Sequence, residues 1–211
     1  ALSALLTLSF ATAALIGGRL GDRFGRRRVF TATLVVFVIG VGILTFSSGL
    51  VMLYIGIFLT GIAVGADLPV SLAMANEAAS ENQKGKAVGL SGVLWLLGIA
   101  AVITISVFVG GMGELGGRII YGHLLIVAIV VLILRARVDE SAEWKTARTE
   151  AIAIAAGSSS ETKIPKSLSQ LVRPPLLAAL LATGLFYAVW NIGANTIGQF
   201  STYLYVNAAG S

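Results

Sequence analysis

The sequence predicts an all-α fold, a polytopic bundle of transmembrane helices. Of its 211 residues, 56% are hydrophobic and 12% are charged, against roughly 45–50% apolar and about 25% charged residues in an average soluble domain. Mean hydropathy is +0.90, and the apolar stretches approach the ~20 residues that a helix needs to cross a ~30 Å hydrocarbon layer. Backbone polar groups in lipid must be satisfied within their own segment, so each stretch is expected to be a helix.

Six apolar segments are predicted to be these helices. In chain order they span about 1–18, 29–48, 50–75, 87–111, 118–135 and 174–206. The first begins at Ala1 without a methionine or a basic flank. We therefore expect it to be a helix whose upstream neighbours are missing, rather than a signal peptide, and we expect the bundle to be incomplete.

Basic residues separate the connectors between these segments into two sets. Every Lys and Arg except Arg118 lies in or beside the connectors that follow the first, third and fifth segments. Because Lys and Arg are retained in cytoplasmic loops, these connectors are predicted to be cytoplasmic in a multi-pass protein of the cell (inner) membrane. The same placement argues against nucleic-acid binding, although the formal net charge is +5.

The long connector after the fifth segment divides the chain. Residues 137–150 mix both charge signs at spacings suited to a surface helix, and Gly157–Ser160 and Pro165 are typical of a flexible linker. Arg135 is assigned to the edge of this connector. The predicted domains are an N-terminal helical bundle over 1–136, a central cytoplasmic loop over 137–173 and the first helix of a second bundle over 174–211.

A string rich in glycine and arginine joins the first two segments. It runs Gly18-Arg19-Leu20-Gly21-Asp22-Arg23-Phe24-Gly25-Arg26-Arg27-Arg28. Physically it is predicted to be a tight turn, with glycines every four residues for close backbone approach. The same spacing at Gly61/Gly65 and Gly85/Gly89 predicts helix packing elsewhere. The string resembles the GxLxDRxGRR signature of major facilitator superfamily transporters, which implies that fold, with the six segments as the second to seventh of twelve helices.

Two weaker strings extend the resemblance to sugar porters. After the third segment, the residues that match or replace the ExxPxxxRG pattern are Glu77, Ser80, Lys84 and Gly85. After the fifth, the residues retained from the PESPRW pattern are Glu140, Ser141 and Trp144. In that family such charges form ion-pair networks that hold the inner gate shut. The resemblance implies a gating role for Asp22, Arg23, Arg26, Arg27, Glu77 and Glu140. The alternative is a set of exposed pairs worth about 0–1 kcal/mol each, with no switching role.

Asp67 is the only acid well inside an apolar segment. Burial disfavours a charged carboxylate, and a group that gains and loses a proton suits coupling. The stretch 65–71 resembles the GxDxPxS segment of organic-solute and phosphate proton symporters, which implies a proton-coupling role. Related transporters often carry an arginine ten residues earlier, where this chain has Ile57, so a pair within that helix is not expected. Alternatively, Asp67 caps a helix broken at Pro69 or bonds a neighbour.

The last segment has polar side chains at intervals of four. They are Tyr187, Asn191, Asn195, Gln199 and Tyr203. On one side of a helix they either line a watery cavity that binds a polar solute or join helices at about 0.6–2 kcal/mol per hydrogen bond. The seventh helix of sugar porters presents Asn and Gln to sugar hydroxyls. The resemblance therefore implies substrate contacts at Asn191, Asn195 and Gln199, with Trp190 beside them.

The resemblance predicts a secondary active transporter rather than an enzyme. No Ser-His-Asp set, metal-ligand cluster or phosphate-binding loop is recognisable in the sequence, so no catalytic residue, metal or cofactor is assigned. The expected partners are a small polar organic solute (a sugar or an organic acid), protons and membrane lipid. Proton symport with alternating access is expected. The alternatives are an uncoupled facilitator of the same fold and a non-transporting membrane sensor or scaffold.

Overall fold

The computed structural model describes residues 2–135, 137, 140, 142–155, 174 and 176–209. Over these residues the chain forms seven α-helices and two short 3-10 turns. The helices are α1 (Leu2–Phe24), α2 (Arg26–Thr45), α3 (Leu50–Ala78), α4 (Lys84–Val109), α5 (Glu114–Arg135), α6 (Ala142–Ala155) and α7 (Leu176–Ala209). The turns, Glu81–Gln83 and Gly110–Met112, precede α4 and α5.

Among the described helices, α1 to α5 are long and apolar enough to cross a membrane. The part of α7 whose side chains are described includes a shorter apolar stretch, Leu176–Val189. No strand occurs in the described ranges. The predicted all-α bundle of transmembrane helices is therefore confirmed.

Helices α1 and α3 run parallel and pack through small residues. Gly17 lies against Ala66, and Gly65 lies against Phe10. A Cβ atom on Gly17 would lie 2.5 Å from the Ala66 carbonyl oxygen, so only glycine permits this approach of the two backbones.

The two glycine pairs that were predicted to pack behave differently. Gly61 lies against Ser9 of α1, one turn before the Gly65 contact, so the first pair packs as predicted. Around Gly85 and Gly89, no atom of the described residues lies within 4 Å of where a Cβ would be. The second pair therefore has no packing partner in this part of the chain.

Helix α2 runs antiparallel to α3, and α5 runs antiparallel to α2. Near its start, α2 bonds α3 through Thr33 and Asp67, and the carbonyl of Phe30 accepts a hydrogen bond from Arg135 at the end of α5. The ends of α1, α3 and α5 and the start of α2 therefore lie together. We call this the basic end of the bundle, because it holds the arginines of the α1–α2 string.

Helix α1 is longer than predicted. It continues through most of the glycine- and arginine-rich string to Phe24, since Arg and Leu are good helix formers and the string contains no proline. Gly25 alone separates α1 from α2, with a φ of 99° that glycine adopts without strain. The prediction that the whole string is a turn is wrong, because one residue makes the turn.

Pro69 lies inside α3 without ending it. Proline has no N–H to bond the carbonyl four residues earlier, which belongs to Gly65. The helix nevertheless runs from Leu50 to Ala78. The alternative in which Asp67 caps a broken helix is therefore wrong.

The chain divides into two compact units, Ala1–Gly157 and Ser158–Ser211. The first contains α1 to α6 and the second contains α7. Helix α6 is the surface helix expected near 137–150, although it starts and ends later. The domain bounds 1–136, 137–173 and 174–211 stay a prediction.

Candidate functional site

The Asp67 carboxylate on α3 is bound by an arginine from α5. Arg135 Nη1 lies 2.7 Å from Asp67 Oδ1, and Nη2 lies 3.2 Å from Oδ2. The two groups therefore pair through two side-by-side charged hydrogen bonds. The Thr33 hydroxyl on α2 lies 3.1 Å from Asp67 Oδ1, so this carboxylate joins α2, α3 and α5.

Arg135 also contacts Phe30, near the start of α2. Its Nη1 donates to the Phe30 carbonyl over 3.2 Å, and its Cζ lies 3.1 Å from the centroid of the Phe30 ring. A guanidinium over an aromatic face is stabilised by cation–π attraction, typically by about 0.5–2 kcal/mol. Phe30, Thr33, Asp67 and Arg135 form what we call the Asp67 cluster.

The central pair of the Asp67 cluster is largely shielded from solvent. The Arg135 and Asp67 side chains are 15% and 25% exposed. For a buried pair, desolvation offsets most of the Coulomb attraction, but removing one partner costs about 3–5 kcal/mol because the remaining charge is uncompensated. Removal of either residue therefore leaves the charge of the other without its ion-pair partner.

The sequence alone does not reveal Arg135 as the partner of Asp67. Its position suggests the edge of a connector, and Ile57 stands where an arginine within α3 was sought. Asp67 does not lie at the end of α3, which continues to Ala78. Arg135 is the last residue of α5, and it lies at the same height in the bundle as Asp67. The available signal is that an acid at membrane depth requires a cationic partner, but the sequence does not say which helix supplies it.

A small cavity adjoins the Asp67 cluster. Its volume is about 110 Å³. It is lined by Thr33, Leu34, Phe37, Ala63, Val64 and Asp67. At ~30 Å³ per molecule it accommodates a few waters, but sites for small organic ligands occupy roughly 300–1,000 Å³. The cavity can hydrate Asp67 and is too small to enclose an organic solute.

A second group of charged side chains joins α1, α2 and α3 at the basic end. Arg26 forms a close ion pair with Glu77 through Nη1 and Oε1. Its Nη2 lies 3.3 Å from Asp22 Oδ1. The Arg26 and Glu77 side chains are 17% and 14% exposed, whereas Asp22 is 70% exposed. The contact with Glu77 is therefore the shielded one, and Asp22 is a solvated outer partner.

Glu140 and Trp144 contact the α1–α2 turn. Glu140 Oε1 accepts a hydrogen bond of 3.0 Å from the Arg27 backbone N–H, at a helix N-terminus where a carboxylate is favourable. Trp144 Nε1 donates to the Asp22 carbonyl over 2.9 Å. A Cβ on Gly25 would lie 2.8 Å from Glu140 Oε2 and 3.4 Å from the Trp144 ring. Glycine at this turn therefore admits both side chains.

These contacts bring together five of the six residues for which gating was predicted. With Gly25 and Trp144 they form what we call the turn cluster: Asp22, Gly25, Arg26, Arg27, Glu77, Glu140 and Trp144. The sixth, Arg23, has its Cζ 5.4 Å from the centroid of the Phe24 ring and lines an open groove beside the cluster. A switching role for these residues stays a prediction.

The residues predicted to bind solute lie on α7, in the second compact unit. The backbone is helical at Trp190, Asn191, Asn195 and Gln199. The side chains of these four residues lie outside the described part of the structure. Their helical spacing is therefore observed, and their contacts with solute stay a prediction.

The described residues contain no group of three or more His, Asp or Glu that could hold a metal ion. His123, the sole histidine of the sequence, lies on α5. Its Nδ1 is buried and has no hydrogen-bond partner within the described ranges. This environment is that of a packing residue.

Comparison with known proteins identifies the family of this chain. The family described as the Major Facilitator Superfamily matches residues 1–209. The minor myo-inositol transporter IolF of Bacillus subtilis (strain 168) is 34% identical over 203 residues, which cover 96% of this chain and 46% of that protein. The niacin transporter NiaP of Acinetobacter baylyi is 29% identical over 152 residues, covering 64% of this chain and 34% of that protein.

A solved structure shows the same fold. The proton:xylose symporter XylE of E. coli, bound to 6-bromo-6-deoxy-D-glucose, matches with a TM-score of 0.61 and 22% identity, over 74% of this chain and 36% of that chain. The chain spans less than half the length of each of these relatives. Its helices are apolar and long enough for a multi-pass membrane protein, and the resemblance seen in the α1–α2 string is confirmed along almost the whole sequence. The chain belongs to the Major Facilitator Superfamily.

Proposed function

We propose that this chain is part of a secondary active transporter that moves a small polar organic solute across the cell membrane by proton symport. The observation that carries the proposal is the Asp67–Arg135 pair, which holds a carboxylate between helices beside a cavity that water can fill. Ionisable residues within membrane segments are costly and mark ion and proton pathways. Relatives named for myo-inositol and niacin support a solute that is a polyol, a sugar or an organic acid.

Asp67 is the proton-coupling residue in this proposal. As a carboxylate it pairs with Arg135 and stabilises one arrangement of α2, α3 and α5. A proton that arrives through the adjoining cavity neutralises the carboxylate. That arrangement then loses its balanced charge pair and becomes less stable. Proton binding thereby shifts the balance between two arrangements of the helices, as alternating access requires.

The turn cluster is the inner gate in this proposal, and the basic end faces the cytoplasm. The excess of Lys and Arg at that end supports the orientation. Arg26 links the end of α1 to the end of α3 through Asp22 and Glu77, so its ion pairs close this end of the bundle. Glu140 adds a contact from the α5–α6 segment. Arg23 and Arg27 contribute further positive charge to the turn.

The solute binds along α7 in this proposal. Asn191, Asn195 and Gln199 follow one another at one-turn intervals, with Trp190 next to the first. Amide side chains both donate and accept hydrogen bonds, which suits the hydroxyls of a polyol or the carboxylate of an organic acid. The cavity beside Asp67 is too small for such a solute, which supports separate proton and solute sites.

Uphill uptake into proteoliposomes that contain the full-length protein tests the proposal. Labelled myo-inositol and labelled niacin are the probes, each measured with and without an inward proton gradient. We expect gradient-driven accumulation that Asp67→Asn abolishes, while solute counterflow persists because exchange requires no net proton movement. Glu114→Gln is the matched control, since Glu114 pairs with Arg118 at the opposite end of α5 and is exposed. It should accumulate solute normally.

Two outcomes would contradict proton coupling. They are accumulation that survives collapse of the gradient and accumulation that survives Asp67→Asn. Either would favour an uncoupled facilitator of the same fold. One observation favours this second candidate. Asp67 and Arg135 balance each other's charge, and such a pair can also hold helices together without any change in protonation. A lack of saturable flux for either probe would contradict both candidates and favour a membrane sensor or scaffold.

A further inference from the structure

We propose that Arg135 is a positioning residue that links the protonation of Asp67 to the hydrogen bonds of Glu140 and Trp144 with the α1–α2 turn. The inference rests on the proposed proton-coupling role of Asp67. Arg135, Glu140 and Trp144 lie in one short stretch of the sequence, from the last residue of α5 to the first turn of α6.

At the first end, Arg135 holds groups on two helices. Its guanidinium pairs with Asp67 on α3 over 2.7 Å. On α2 it donates to the Phe30 carbonyl over 3.2 Å and lies over the Phe30 ring. Asp67 is the only anion among these groups, so its charge balances the guanidinium in a place with little access to solvent. The attachment of Arg135 to α3 therefore depends on the charge of Asp67, whereas its contacts with α2 do not.

At the second end, the stretch holds the turn itself. Glu140 accepts from the Arg27 N–H, and Trp144 donates to the Asp22 carbonyl. Arg27 and Phe30 are three residues apart in α2, so the contacts of Glu140 and Arg135 fall on the same face of its first turns. Arg135 and Glu140 thus both contact the first turns of α2. Only the Arg135 end also reaches α3.

Among the residues that the structure describes, the other charged groups lie away from Asp67. On α1, the residue that meets this level of α3 is Gly17, which has no side-chain charge. On α2, Thr33 faces Asp67, and Arg26 is engaged by Glu77 about ten residues, or roughly 15 Å, further along α3. The lysines of α4 lie in its first turn, which follows the end of α3. Arg135 is therefore the charged group that responds directly to the state of Asp67.

Protonation of Asp67 weakens one contact and leaves the others in place. Protonation removes the ion-pair attraction between the guanidinium and the carboxylate and leaves a hydrogen bond in which only the donor is charged. The guanidinium keeps its contacts with Phe30 on α2 and loses its charge pairing with α3. The contacts of Glu140 and Trp144 with the turn open more often as a result.

The test uses the full-length protein in proteoliposomes, with Trp144 as its sole tryptophan. The indole of Trp144 bonds the Asp22 carbonyl, and acrylamide quenching of its fluorescence measures how often the indole leaves the turn. We expect quenching to rise on acidification. Arg135→Gln should give high quenching at every pH and so lose the response that depends on Asp67. Arg118→Gln, at the other end of α5, should keep it.

Two further variants separate this link from damage to the fold. Asp67→Asn should resemble the acid state at every pH. What remains of the pH response in it reports the carboxylates of the turn cluster. Arg135→Lys keeps the charge without the planar fork and should retain a reduced response. Far-ultraviolet circular dichroism of each variant, which should keep the helical signal of the parent protein, shows that the protein is folded.

An unchanged pH response in an Arg135→Gln protein that keeps this helical signal would overturn the inference. Proton-driven accumulation by the Asp67→Asn variant tests the proposed function, independently of the link through Arg135. If Asp67→Asn loses accumulation while Arg135→Gln keeps the full Trp144 response, only the link through Arg135 is refuted. If Asp67→Asn keeps accumulation, the proton-coupling role of Asp67 is itself refuted.

Discussion

The Arg135 side chain makes two kinds of contact, and only one of them depends on the charge of Asp67. The ion pair requires the carboxylate, whereas the Phe30 ring and carbonyl hold the guanidinium in either case. Asp67, by contrast, has Thr33 as its other partner in the described contacts. The two residues are therefore unequal: the arginine keeps good partners when the acid is removed, and the acid keeps only a hydroxyl when the arginine is removed.

This inequality predicts the stabilities of single variants. Arg135→Gln should lower the free energy of unfolding by about 3 kcal/mol, at the lower end of the range for a broken buried pair, because the carboxylate is left uncompensated. Asp67→Asn should cost less, since Phe30 still holds the guanidinium. The double variant should cost less than the sum of the two, with a coupling energy of about 0.5–3 kcal/mol. Thermal unfolding of the purified full-length protein in detergent measures these differences.

The exposed pair of Glu114 and Arg118 is the control for this cycle. Like the Asp67–Arg135 pair, it joins an acid to an arginine of α5, but both of its side chains are exposed to solvent. Its variants should change stability by about 0–1 kcal/mol. If Arg135→Gln is no more destabilising than Arg118→Gln, the Asp67 cluster does not brace the bundle.

Gly25 is a second residue whose identity is fixed by its surroundings. Gly25→Ala should cost about 1–3 kcal/mol for a strained backbone, because φ is 99°. It should also displace Glu140, which lies 2.8 Å from the Cβ position. We therefore expect a lower melting temperature together with stronger acrylamide quenching of Trp144 in the single-tryptophan protein.

Gly49→Ala is the matched control for Gly25→Ala. Gly49 has the extended φ of −170° that any residue adopts, and no described atom lies near its Cβ position. Its substitution should leave both readouts unchanged. Equal behaviour of the two variants would show that Glu140 and Trp144 do not close over the turn.

At the scale of helices, glycines set how closely α1 and α3 approach each other. Gly65→Ala should destabilise the protein by about 1–3 kcal/mol, because an added methyl group would collide with the Phe10 backbone and force the helices apart. Gly89→Ala is the control, since it adds the same group where no described atom is within 4 Å. Melting temperatures in detergent compare them, and a loss of stability in both alike would contradict a specific glycine contact.

The helices were predictable from sequence because apolar length reports what a membrane requires. Hydrophobicity does not predict where a helix ends once it has left the membrane. Helix α1 therefore continues to Phe24, through polar residues that form helices well. Contacts within one string, such as that of Asp22 with Arg26, follow from i,i+4 spacing. The Arg135 contact does not, because it joins residues far apart in sequence and depends on the relative heights of two helices.

At the scale of the whole molecule, charge is distributed very unequally between the two ends of the bundle. The α1–α2 turn and the segment around α6 hold many Lys and Arg residues, whereas the connector between α2 and α3 holds none. Lys and Arg residues are retained in the cytoplasm. Because α1, α3 and α5 all end on the basic side, this preference would orient all of these helices in the same way. The proposed orientation of the turn cluster, and its proposed role as the inner gate, rest on this single asymmetry.

Cysteine labelling tests that orientation, since the sequence contains no cysteine. Ser48 lies between α2 and α3 and Thr149 lies on α6, and both are exposed. A membrane-impermeant maleimide added to intact cells that express the otherwise cysteine-free full-length protein should label Ser48→Cys. It should label Thr149→Cys only after permeabilisation, because the basic end is expected to stay in the cytoplasm. The reverse pattern would put the turn cluster on the outer surface, where its ion pairs would close the outer side of the transporter and Asp67 would take its proton from the other direction.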